Sequence, residues 1–83
     1  MLENLTDEAI AFMTEKFIHG MYTNEKDSLH YKWNYRIAME LLEETIKRKK
    51  LDPCNKILEK YTPKLIAEFM EAKLKTAPEC KKA

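Results

Sequence analysis

The sequence predicts an all-α fold, a small bundle of four helices over about residues 7–22, 28–50, 53–61 and 63–76. Three observations predict it. One glycine and three prolines in 83 residues leave few places to turn. Apolar residues recur at spacings of three and four along most of the chain, which is the helical period. Capping residues and Pro stand where each apolar run begins.

The first helix opens at Thr6, an N-cap residue, with Asp7 and Glu8 in the positively polarised first turn. Leu5 is placed to staple onto Ile10 across the cap. Ile10, Met13, Phe17 and Met21 then share one face. Gly20 weakens or ends the helix, and residues 23–27 read as a polar loop.

Asp27 or Ser28 caps the second and longest helix, which carries two apolar stripes. Leu29, Trp33, Ile37 and Leu41 form one at i, i+4 spacing; Tyr35, Met39, Leu42 and Ile46 form the other. At 100° per residue the stripes lie far apart around the helix. Lys32, Arg36, Glu40, Glu43, Glu44 and Lys47 form the polar side, with Glu43–Lys47 and Glu44–Arg48 in the favourable pair order. A helix apolar on two sides is either sandwiched by its own chain or keeps one side for a partner.

Asp52-Pro53 has the form of a helix start, an N-cap followed by Pro at the first position. Cys54, Ile57, Leu58 and Tyr61 follow on one face. Thr62-Pro63 repeats that signal and predicts a break, because Pro disfavours a helical residue before it. A fourth helix then carries Leu65, Ile66, Phe69, Met70 and Ala72 inward and stops before Pro78. The whole reads as one helical domain, 1–83, with a frayed tail from about residue 77.

An apolar share of 45% with 10% aromatics is that of a chain that folds. No run approaches the roughly 18 apolar residues that cross a bilayer. The first eight residues are acidic where a signal peptide is basic. Cys54 and Cys80 form no CxxC pair, so a cytoplasmic location with two reduced thiols is expected. Residues 1–46 hold nine acidic and four basic side chains, residues 47–83 five acidic and eleven basic. Such an asymmetry bears on partner choice and steering rather than on fold.

Chemistry-bearing constellations are sparse. His19, His30, Cys54 and Cys80 lack the pair spacings of a zinc site, so no metal is expected. Glu43 and Glu44 diverge on a helix, neither His has a nucleophile beside it, and no glycine loop could cradle phosphates. Cys54 near a helix start could have an activated thiol, against the plainer reading that it packs with its apolar neighbours. The chain is therefore expected to be neither an enzyme nor a cofactor carrier.

Lys47-Arg48-Lys49-Lys50 is the basic run. Its structural role is to offset the negative end of a helix dipole. Its functional alternative is nucleic-acid contact aided by Lys56, Lys60, Lys64, Lys73 and Lys75. The interleaved Glu59, Glu68 and Glu71 and a pI of about 7.7 weigh against that alternative. A helix-turn-helix across Thr62-Pro63 lacks the glycine of the turn and base-reading side chains after it.

The aromatic segment Tyr31-Lys32-Trp33-Asn34-Tyr35 is the most informative. Residues two apart on a helix point about 200° from each other, so Trp33 and Tyr35 cannot share a face. With Trp33 in the core, Tyr31, Tyr35, Met39, Leu42 and Ile46 are left as a strip that contacts a protein partner. Tyr is among the residues that dominate such contacts. Phe12, set among Glu8, Glu15, Lys16 and His19, is placed to join them. The competing reading is that neighbouring helices cover both sides of the long one.

The sequence thus leads to a small protein-binding module, an inhibitor, adaptor or regulator of a larger protein. Short length, high charge and absence of motifs are shared with phage and mobile-element inhibitors. A nucleic-acid binder, a structural subunit and a homodimer are the alternatives.

Overall fold

The computed structural model describes residues 2–75, with the side chain of residue 75 excepted. A short 3-10 turn, Leu2–Asn4, precedes three α-helices: α1 (Asp7–Tyr22), α2 (Leu29–Leu51) and α3 (Lys56–Lys75). Among the described residues there is no strand. The end expected near residue 76, Pro78, Cys80 and the tail lie outside the described residues.

Local chemistry sets the first two helices. The Thr6 hydroxyl accepts from the Ala9 amide at 3.1 Å, and the Ser28 hydroxyl from the Tyr31 amide at 3.0 Å. Each satisfies a donor that the first turn would leave orphaned. Ser28 rather than Asp27 is the cap. The α1 helix runs through Gly20 to Tyr22, and Gly20 serves packing instead. A Cβ at Gly20 would stand 2.5 Å from Oδ1 of Asn34, so its absence lets α1 and α2 approach.

Three helices replace the expected four. Asp52-Pro53 does not start a helix; it makes a turn in which the Cys54 amide donates to the Asp52 carboxylate at 3.2 Å. Asn55 is the effective cap, accepting at Oδ1 from the Leu58 amide at 3.1 Å. Thr62-Pro63 does not break the chain either, and Pro63 lies inside α3. Pro removes one amide and crowds one carbonyl, that of Glu59. Pro63 is exposed, so that carbonyl can turn to water. The Thr62 hydroxyl donates to the Leu58 carbonyl at 2.5 Å. Leu58, Leu65, Phe69 and Ala72, buried on either side of Pro63, hold both halves in line.

The helices run up, down and up. Arg48 reaches Asp7 and Asn34 faces Gly20, which makes α1 and α2 antiparallel. Asp7–Asn55, Glu15–Lys64 and Tyr22–Glu71 contacts make α1 and α3 parallel. Extents of 43 × 25 × 15 Å describe a flattened arrangement. In it α1 packs on both neighbours, while α2 and α3 share less backbone contact. They meet through long side chains: the Tyr35 and Phe69 rings lie 5.4 Å apart, with the Lys73 ammonium over both.

The core is built from Ala11, Ile18 and Met21 of α1, Tyr31, Ala38 and Leu42 of α2, and Leu65, Phe69 and Ala72 of α3. Ile10, Leu41 and Leu58 are buried as well. Thr14 and Thr45, both fully buried, donate to the carbonyls of Ile10 and Leu41 and leave no polar group unsatisfied.

Candidate protein-binding surface

The strip expected on the surface of α2 is largely interior. Tyr31 and Leu42 are only 5% and 6% exposed, and Tyr35 and Met39 are half-buried against the core. The other stripe opens to solvent at its N-terminal end, where Leu29 is 80% and Trp33 59% exposed. Leu41, at the other end of that stripe, stays buried as expected, so only its N-terminal half has left the core. The rotation of α2 is set by Gly20 and Asp7 of α1 and by Phe69 of α3, which bring Asn34, Arg48 and Tyr35 inward. Trp33, between Asn34 and Lys32, is turned away. Ile46 stays exposed at the outer edge of the strip. Phe12 is exposed as expected, with the Lys16 ammonium 5.3 Å from its ring centre.

The larger departure is on α3. Ile66 and Met70, expected inward, are exposed together with Leu74, and Met70 reaches 53%. These three follow at i, i+4 and i+8 and form a continuous apolar ridge. Its direction follows from Phe69 and Lys73, which face Tyr35 of α2. Around α3, Ile66 lies within about 20° of Lys73, and Met70 and Leu74 follow at steps of about 40° further outward. The ridge therefore borders the seam between α2 and α3. Met39 lies level with the start of the ridge on the outer flank of the expected strip, while Ile46 lies further toward the C-terminal end of α2.

Two open clefts lie along the outer flank of α2. One, of about 360 Å³, is lined by Lys26, Asp27, Tyr31, Lys32, Tyr35 and Lys73. The other, of about 380 Å³, is lined by Glu43, Ile46, Lys47, Lys50 and Leu51. Both linings combine apolar or aromatic side chains with lysines. Phe12 lines a separate cleft of about 110 Å³ with Glu8, Ala11, Glu15 and Tyr61. The structure does not bring Phe12 to the seam.

Half of the basic run is committed to the fold. The Arg48 guanidinium donates to Glu44 at 2.9 Å, Asp7 at 2.8 Å and the Leu2 carbonyl at 2.8 Å. Lys49 donates to the Pro53 carbonyl at 2.9 Å. Lys47 and Lys50 face the outer cleft. Asp7 is held below the usual carboxylate range, first by the Asn55 amide and then by Arg48. Tyr22 is raised above the usual phenol value by burial and by its hydrogen bond to Glu71.

Among the described residues no three His, Cys, Asp or Glu side chains are grouped to hold a metal ion. Cys54 is exposed in the α2–α3 turn rather than packed with Leu58. No helix among the described residues is long and apolar enough to cross a membrane. Comparisons with protein-family models, curated proteins and solved structures find no match to this chain.

Sequence reasoning missed Ile66, Met70 and Leu74 as surface residues. Their i, i+4 spacing was visible, but the same spacing serves a core ridge equally well. Only the inward positions of Leu65, Phe69 and Ala72 leave them outside.

Proposed function

We propose that this chain is a non-catalytic protein-binding module whose contact surface is the α2–α3 seam. The observation that carries this reading is the exposed Ile66–Met70–Leu74 ridge on a helix whose opposite face is core. Single exposed apolar residues are ordinary, but a contiguous ridge beside half-buried Met39 is a patch of the kind that marks interaction sites. Two antiparallel helices with an open apolar seam suit the helix-in-groove mode of recognition. By occupying a larger protein's helix, the module would act as an inhibitor, adaptor or regulator.

The test is purification of the tagged protein from its native cells beside a Met70→Glu variant of unchanged melting temperature. The expected result is a stoichiometric protein partner that the variant loses. A partner that the variant retains would move the site away from the seam. Recovery of nucleic acid, with retention falling steeply with salt, would replace the protein-binding reading with one based on Lys47 and Lys50.

A further inference from the structure

Pro63 divides α3 into halves that are held differently. Beyond it, Leu65, Phe69 and Ala72 enter the core cluster, and Lys64 and Glu71 are paired with Glu15 and Tyr22 of α1. Among described residues 56–62, Leu58 is the one fully buried side chain, with Tyr61 half-buried at the edge of the cluster. The turn before them, residues 52–54, is exposed. A hydrogen bond from Asn55 Nδ2 to Asp7 Oδ2, at 2.6 Å, ties the start of this first half to α1. Three residues on from that bond along the two parallel helices, Leu58 stands level with Ile10, and both are 0% exposed. Asp7 is also held by Arg48 at 2.8 Å, so loss of the Asn55 bond leaves α1 on α2. Inside α3, Pro63 has no N–H to donate to the Glu59 carbonyl. One rung of the helical ladder is therefore already missing there, and the helix separates at Pro63 at less cost than one turn to either side.

We propose that residues 52–62 form a latched strap, which releases as one unit at Pro63 when the Asn55–Asp7 bond opens, while the rest of the core stays packed. Segments that open locally are those with few buried apolar contacts, and this one has Leu58 and part of Tyr61. Burial of Leu58 and the latch together hold the strap closed. Release uncovers Leu58 and Ile10 and gives the chain a second apolar surface, at the end of the bundle where the α2–α3 turn lies. The device is independent of the protein-binding reading, because it involves neither Ile66, Met70 nor Leu74.

The test is native-state hydrogen exchange of the ¹⁵N-labelled protein in urea below the unfolding transition. Amides of residues 58–62 should share one opening constant, about tenfold or more above that of residues 69–72. Asn55→Asp isolates the latch, because Asp caps a helix as well as Asn but its carboxylate has no donor for Asp7. It should raise the opening of residues 58–62 by a further factor of about ten. Residues 69–72 should be unchanged in it, which also shows that the variant is folded. Pro63→Ala restores the missing donor and should bring the two halves to within about threefold of each other. Tryptic cleavage after Lys60 should follow the same order. A common opening constant along the whole of α3 in the native protein overturns the strap. Equal acceleration of both halves by Asn55→Asp, or of neither, overturns the latch. An unchanged difference between the halves in Pro63→Ala overturns the hinge.

Discussion

Replacing Arg48 by Met tests what holds the two N-terminal elements to α2. Met keeps most of the aliphatic stem in place and removes the guanidinium. Three donated bonds disappear, to Glu44, Asp7 and the Leu2 carbonyl. Hydrogen bonds to charged groups contribute about 1.5–3 kcal/mol when buried and less when water reaches them. Side-chain exposures of 15% for Arg48, 12% for Glu44 and 26% for Asp7 put these bonds below that range, at about 0.7–1 kcal/mol each. Asp7 keeps its bond from Asn55 at 2.6 Å, which limits the loss further. Their sum is a destabilisation of about 2–3 kcal/mol. With a urea slope near 1 kcal/mol per molar for a domain this small, the midpoint should fall by about 2 M. Arg48→Lys should recover less than half of it, because one ammonium cannot span three acceptors in the fork geometry.

The acid limb gives a second readout of the same network. The folded-state pKa of Asp7 is depressed, so its contribution is fully present above the unfolded value and lost as pH falls through the folded one. Stability of the native protein should therefore fall between about pH 5 and pH 2, more shallowly in Arg48→Met. The slope should not vanish, because the Asn55 amide is the larger cause of the depression. A urea midpoint for Arg48→Met within about 0.5 M of the native protein would refute this account of the network.

Two further changes check the burial map and the continuity of α3. Leu42→Ala should cost about 2–4 kcal/mol in urea unfolding and Met70→Ala less than about 1 kcal/mol; the reverse order would mean that α2 and α3 are rotated from the positions described. Pro63→Ala should raise stability by about 1–3 kcal/mol, because the alanine N–H can donate the missing hydrogen bond to the Glu59 carbonyl inside α3. A loss of stability there would mean that Pro63 terminates a helix, as its sequence context suggests.

Part of this fold was legible because it depends on neighbours in sequence. Thr6 and Ser28 cap where their side chains can reach an amide three residues on, and α1 and α2 begin there. Helical periodicity also gave Ile10, Met21, Leu41, Leu65 and Phe69 their apolar faces, and charged surroundings put Phe12 outside. The candidate surface was legible only at its edge, in Met39. Periodicity fixes the angle between residues around one helix, but it carries no origin. Whether Trp33 or Tyr31 turns inward is decided by the Gly20–Asn34 approach and by Phe69 packing from 34 residues further along the chain. The exposure of Ile66 and Met70 has the same cause. Local signals also misread the ends of α3, because Asp52-Pro53 and Thr62-Pro63 carry identical cap chemistry. What separates them is tertiary burial: Leu58, Leu65, Phe69 and Ala72 gain more by packing in one line than Pro63 costs. Helix content and the caps of α1 and α2 were thus determined by the sequence, and the continuity of α3, helix rotation and the open seam by the packing of one helix on another.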